Sequence, residues 1–193
     1  GARAAPRRQQ TLQAVVDWSW ELLSEAERTV LRRLSVHAEG CDLEAVEAVC
    51  ADEGDRTGDV VDPLARLVER SLVTAVEGTD GPRYRLLESI GAYSAERLAE
   101  ACEAEAVRER HMRHYADLAE RADTHLRGRD QQSWLRRLDQ ESANLRTAFD
   151  TAERIGASDA AVCLAVAPFW YRYLRGRLGE AHRLLARADE LAG

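Results

Sequence analysis

Residues Leu64–Leu98, LARLVERSLVTAVEGTDGPRYRLLESIGAYSAERL, carry the one β-hairpin signal in an otherwise helical chain of 193 residues. Leu64, Leu67, Val68 and Ser71 fall at helical spacing, in a helix starting either from Asp59 or from Asp62 with Pro63 in its first turn, where proline is tolerated. Leu72 to Val76 then reads as a β-branched strand. Asp80-Gly81 is a tight-turn signal, and Arg83 to Leu87 alternates as a return strand. Helix resumes at about Glu88 and reaches Ala101. The sequence around this segment is acidic: residues 1–101 hold 12 Arg against 19 Asp and Glu, which accounts for the whole net charge of −7. Residues 102–193 balance, with 15 Arg and 15 acids.

Upstream, residues 1–10 read as a linker containing Pro6. Thr11 is placed to cap a helix from Leu12 to Leu23, and Trp18 and Trp20 widen its apolar face. Ser24-Glu25-Ala26-Glu27 has the capping-box form. It opens a second helix with Val30, Leu31, Leu34 and Ala38 on one face, ending at Gly40 as a left-handed cap. Asp42 caps a short third helix bearing Leu43, Val46 and Cys50, closed by the polar loop ADEGDRTGD. Beyond Cys102 the pattern is helical throughout: Glu103 to Leu126, a segment capped by Asp130 to about Ile155, another from Ser158 to Leu174 that Pro168 should kink, and a last one from about Leu178 to Leu191. The divisions expected are a linker over 1–10, one domain over 11–101 and a helical array over 102–193.

Composition narrows the classes. The chain is 45% hydrophobic and 32% charged, which is globular rather than disordered. It has no Lys, and Asn144 is its one asparagine, a bias expected of a GC-rich genome. No apolar run approaches the roughly 20 residues needed to span a bilayer, and the start GARAAPRRQQ has no apolar signal region, so a cytoplasmic protein without a membrane is expected. Cys41, Cys50, Cys102 and Cys163 show no paired metal-finger spacing, and Cys50, Cys102 and Cys163, in Ala-rich helical stretches, are expected to be small buried hydrophobes in a reducing compartment.

Chemistry-bearing constellations are few. No phosphate-cradling glycine loop and no nucleophile elbow is present, so no cofactor and no enzymatic activity are expected in this chain. His111 and His114 stand at i, i+3 on one helical turn. No third or fourth metal ligand accompanies them, and packing near Tyr115 and Leu118 is the better reading. Trp134 and Trp170 are expected to plug gaps between Ala-rich helices. The stretch FWYRYLRGR sets Trp170 and Tyr171 beside Arg172, Arg175 and Arg177, a combination that suits a partner surface.

The helix, strand, turn, strand, helix order outlines a winged helix, and the fold class expected is mainly α: a winged-helix domain with one hairpin, followed by an α-helical array. A wing that grips phosphates should be basic. Here the helix in the recognition position carries Asp59, Asp62 and Glu69 against Arg66 and Arg70, which argues against DNA binding. Arg83 and Arg85 are the candidates for phosphate contacts. Strand alternation puts both on one face, where they could equally pair with acids of a neighbouring domain.

Two resemblances extend this. Gly176-x-Leu178-x-Glu180-Ala181-x-x-x-Leu185-x-x-Ala188 resembles part of a tetratricopeptide repeat, which implies a tetratricopeptide-like array, expected to be truncated. The segments RQQTLQAVVDWSWELLSEAERTVLRRLSV, LARLVERSLV, GPRYRLLESIGAYSAERL and ESANLRTAF resemble the region following the nucleotide-binding domain in bacterial STAND/NB-ARC-type ATPases, among them actinobacterial antibiotic-regulator-like and LuxR-type transcriptional regulators. That resemblance implies a winged helix packed on an upstream domain that binds ATP or ADP, and helical repeats that sense an inducer or protein partner. Many such proteins carry a His-Asp pair after the second wing strand, where this chain has Leu87 and Glu88. Arg83, Arg85, Leu87 and Glu88 are therefore the candidate interdomain or nucleic-acid contacts. A regulatory segment that holds a neighbouring domain is the first reading. A DNA-binding winged-helix regulator with a helical effector domain is the alternative.

Overall fold

The computed structural model describes residues 7–51, 60–79 and 81–193, and in the first helix the side chains from Ala14 onward. Among them, α1 (Arg7–Glu21), α2 (Glu25–Leu34), α3 (Leu43–Cys50), α4 (Val61–Glu69), the hairpin β1 (Thr74–Gly78) and β2 (Gly81–Arg85), and α5 (Glu88–Glu100) make the first half. The second half comprises α6 (Ala104–His125), α7 (Gln131–Ile155), α8 (Ser158–Val166), α9 (Phe169–Leu174) and α10 (Leu178–Ala192). The chain is mainly helical, with a winged-helix unit followed by a helical array, as the sequence pattern predicts.

α2 begins where the capping box places it. The Ser24 hydroxyl accepts from the Glu27 amide at 3.3 Å, and the Ser24 amide donates to the Glu27 carboxylate at 2.6 Å. Two otherwise unpaired backbone donors are thereby satisfied. Ser24→Ala should lower stability by about 1 kcal/mol in a urea melt, with an unchanged m-value.

Several boundaries differ from expectation, each for a local reason. α1 starts at Arg7, so Thr11 lies inside the helix rather than at its cap, and the stretch expected as linker is helical from Arg7. α2 ends at Leu34 instead of running to Gly40. The amides of Ser35, Val36 and His37 bond three residues back, and the Ser35 hydroxyl takes the Arg32 carbonyl at 2.6 Å, which winds the chain out of the α-helix. Glu39 and Gly40 then turn it at positive φ. β1 begins two residues later than predicted because the Leu72 and Val73 amides both close the end of α4 on the Leu67 carbonyl, past Ser71 at φ 59. Pro168 breaks the expected Ser158–Leu174 helix into α8 and α9. The Asp59 cap, the Asp80 half of the turn signal, most of the loop before α4 and residues 1–6 lie outside the described residues.

β1 and β2 pair antiparallel, with Val76 opposite Arg83 and Gly78 opposite Gly81. Cys41 adds a bridge to the other edge of β2, exchanging backbone bonds with Tyr84 at 3.0 and 2.8 Å. α5 returns across α2. In the array α7 lies along α6, α8 packs on both, and α10 packs on α8.

One buried cluster runs through both halves, from Leu31, Val46, Leu64 and Leu67 to Tyr115, Leu118, Phe149 and Leu164. Ion pairs stitch the same seam. Arg32 and Arg33 both hold Glu103, Arg121 holds Glu44, and Arg137 reaches Asp42 and Glu44. Burial raises the Glu103 carboxyl, but the hydrogen bonds from Arg32 and Arg33 outweigh it and carry the group down to about 2. The four cysteines are free. Cys50 is buried as expected and Cys163 is partly so, whereas Cys102 is exposed, because it sits at φ 58 in the turn between α5 and α6; Cys41 is buried as well. Among the described residues no helix is long and apolar enough to cross a membrane.

Candidate functional site

The wing and the array meet at a buried polar knot. Strand alternation sends Arg83 toward α7, and with 8% of its surface exposed it cannot serve as a phosphate contact in this arrangement. One guanidinium nitrogen pairs with the Glu141 carboxylate, itself 2% exposed; the other donates to the Gly40 carbonyl at 3.0 Å. Asn144, one turn along α7 and fully buried, ties the rest together. Its amide nitrogen donates to Gly40 at 2.9 Å and to the second Glu141 oxygen at 2.8 Å, while its oxygen accepts from the Ala38 amide at 2.7 Å. Burial disfavours the Arg83 charge, but the Glu141 contact offsets this and leaves its pKa above the usual arginine value. The buried carboxylate thus has a partner for each oxygen, the condition under which such a network holds a unique arrangement.

Sequence reasoning missed Glu141, Asn144 and Gly40 as partners of Arg83. The signal available was Asn144, the one asparagine, three residues after a glutamate on a helix. Fifty-eight residues separate Arg83 from Glu141, and no local spacing rule spans that.

Arg85, Leu87 and Glu88 do come together. They line a cleft of about 380 Å³ between the end of β2, the start of α5 and the turn holding His37 and Gly40. Leu87 is 58% exposed at its edge. Arg85 and Glu88 are exposed as well. The predicted set therefore divides, with Arg83 turned into the protein and the other three around an open cleft.

α4 occupies the recognition position. Leu64 and Leu67 are buried, and Asp62, Ala65, Arg66, Glu69 and Arg70 face outward. Arg70 also reaches the capping-box glutamate Glu27 at 3.6 Å.

The predicted partner surface at 170–177 divides: Tyr171 and Arg172 are buried, Trp170 and Arg177 are half-buried, and Arg175 is exposed beside Tyr173 and Leu174. Tyr171 is 2% exposed and donates to Asp139 at 3.0 Å. Arg172 is 4% exposed and caps the broken end of α8, donating to the carbonyls of Leu164 and Ala165. The interruption at Pro168 leaves those carbonyls without helical partners, and a guanidinium fills the gap. Arg175 pairs with Asp139, and Arg177 lies over the Tyr171 ring. Trp170 is partly buried and stacks on Tyr173 at 4.9 Å; Trp134 stacks on His125. His111 is buried and His114 partly so, both against Tyr115. Among the described residues no group of three or more His, Cys, Asp or Glu side chains is placed to hold a metal ion.

Residues 23–99 match the family described as a winged helix-turn-helix domain. Over 173 residues, 89% of the chain, it is 40% identical to proteins of Mycobacterium bovis and Mycobacterium tuberculosis named "Putative HTH-type transcriptional regulator", of which it spans 19%. An uncharacterized protein of Mycobacterium tuberculosis is 41% identical over 111 residues, 57% of the chain and 28% of that protein. No solved structure shows a significant match. The matched region coincides with the winged-helix unit of the fold, in a chain that spans about a fifth of the length of those mycobacterial proteins.

Proposed function

We propose that the chain is a DNA-contacting winged-helix unit of a transcriptional regulator, with the helical array as its effector half. The observation that carries this reading is α4, the helix before the hairpin, with Arg66 and Arg70 on its outward face. Arg85 stands exposed at the end of the wing. The family match and the names of the mycobacterial relatives support the same reading, against the order that charge alone sets. In this reading Arg83 does not touch phosphate. It tethers the wing to α7, so that a change in the array reaches the DNA-facing unit.

The acidic balance still sets the scale. With −7 on the first half, binding must rest on a few local cations, so it should be weak and carry the shallow salt dependence of a few phosphate contacts. Fluorescence anisotropy with labelled duplex DNA tests this. Binding at 50 mM salt that weakens by about 10- to 40-fold at 200 mM, and disappears in the Arg66→Ala/Arg70→Ala/Arg85→Ala variant, is the expected result for two to three phosphate contacts. No binding at low salt, or binding indifferent to that variant, would exclude it.

A second reading is favoured by the cleft. Arg85, Leu87 and Glu88 there offer an apolar edge flanked by both charge signs, which suits another part of the parent protein, such as the upstream ATP- or ADP-binding domain that the STAND-type resemblance implies. Sensing of an inducer or a protein partner by the helical array belongs to this reading too. Absence of DNA binding together with tight association of a separately expressed upstream segment, lost on Leu87→Asp, would establish it.

A further inference from the structure

Three imidazoles converge where the winged helix meets the array. His37, in the turn after α2, has its ring centroid 5.0 Å from that of His111 on α6. His111 lies 4.6 Å from Tyr115, and His114 lies 4.9 Å from the same ring. Both ring nitrogens of His37 are shielded from solvent and neither has a hydrogen-bond partner. His111 Nε2 stands 3.4 Å from the Asn144 oxygen, at the edge of the Arg83–Glu141 knot.

The charges around His37 and His111 give a proton little help: on the far side of His111, Arg108, Asp150 and Arg154 line the same pocket without bonding its ring. From β2, Arg83 faces His37 as a like charge. From α7, both Glu141 oxygens are already used, by Arg83 and by Asn144. Asp42, Glu44 and Glu141 favour a charge on His114, against Arg121. Glu39, Arg85 and Glu88 line the cleft beside His37 without bonding its nitrogens. His37 therefore holds its place as a neutral ring, since protonated it would be a cation without an acceptor, and a protonated His111 would have only the Asn144 oxygen at 3.4 Å.

We propose that this junction is an acid-sensitive hinge, in which protonation of His37 and His111 separates the turn at residues 35–41 from α6 and α7 and so loosens the wing from the array at that edge. Hydrating a charged ring requires that separation, and it breaks the Ala38–Asn144, Gly40–Asn144 and Arg83–Glu141 contacts together. The hinge operates whether or not α4 touches DNA. Burial is the main cause that holds His37 well below the ordinary imidazole value, and it carries His111 from 6.5 down to about 4. Because these values are depressed in the closed form, protons bind better to the opened form. The closed junction is at full strength above pH 6.5 and loses it progressively as the pH falls toward 4.

Amide hydrogen exchange at Ala38, which donates across the junction, reads this directly. His111 alone should lower the Ala38 protection factor by about 30-fold between pH 7.5 and 5, after correction for intrinsic exchange. Protection at Ala152 and Leu164, inside the array, should persist. In a His37→Gln/His111→Gln variant the fall should shrink to about threefold or less. A flat Ala38 profile, a uniform loss of protection along the chain, or an undiminished fall in the variant would overturn the proposal. If the variant does not fold, the imidazole nitrogen shifts of the wild-type chain decide: either ring found protonated while Ala38 stays protected also overturns it.

Discussion

Glu141→Ala is expected to cost about 3–5 kcal/mol of stability, because it removes the carboxylate and leaves the Arg83 guanidinium buried with only carbonyl oxygens around it. For a domain whose whole stability is about 5–15 kcal/mol, that is a large share. Arg83→Ala should cost a comparable amount by stranding Glu141, which would keep the Asn144 amide and the neighbouring Tyr115 hydroxyl but no cation. The double variant should lose well under the sum, since neither charge is then left alone. The coupling from such a cycle is expected at about 2 kcal/mol or more. Replacing the pair with Met and Leu tests a separate point. If packing is kept, stability should return to near that of the wild type, while the wing no longer has a directional link to α7. Urea melts of the four chains give the numbers. Single variants within about 0.5 kcal/mol of wild type would mean that the pair is solvated rather than buried.

How far this could be read from the sequence follows the range of each interaction. The capping box at Ser24, the turn at Gly40, the hairpin and the break at Pro168 are encoded within a few residues, and each lies where the local pattern puts it or within a few positions. The end of α2 was not legible, because what stops the helix is a set of three-residue bonds around Ser35 that a run of apolar residues at helical spacing does not reveal. The site divided the same way. Alternation correctly set Arg83 and Arg85 on one strand face. What each meets there depends on α7, more than fifty residues downstream, so one arginine is buried in an ion pair while the other lines a cleft. In the FWYRYLRGR stretch, Tyr171 and Arg172 look like surface groups by composition. The helix break exposes two carbonyls, and Arg172 turns inward to fill them.

Gly40 is the position where backbone geometry and the polar knot coincide, and Gly40→Ala should be among the most damaging small substitutions in the chain. Its φ of +91 already disfavours any side chain. An added Cβ would stand 2.5 Å from Arg85 Cγ and 2.6 Å from the Tyr84 carbonyl oxygen. The arginine stem can move aside. The carbonyl cannot, because the Tyr84 backbone is held on both sides by its exchange with Cys41. Relief therefore requires β2 to shift away from the turn, and Arg83 sits on that strand while its acceptor is the Gly40 carbonyl itself. A cost of roughly 3–4 kcal/mol is expected, from left-handed strain together with the displaced strand. Gly156→Ala supplies the comparison. That glycine also has positive φ, at +73, but a Cβ there would meet nothing within 4 Å, so about 1 kcal/mol is expected. Because Gly40→Ala disturbs the same contacts as Glu141→Ala, the two losses should combine to less than their sum. Full additivity in the double variant would mean that the turn and the ion pair act independently, and that the wing is held to the array by its apolar contacts alone.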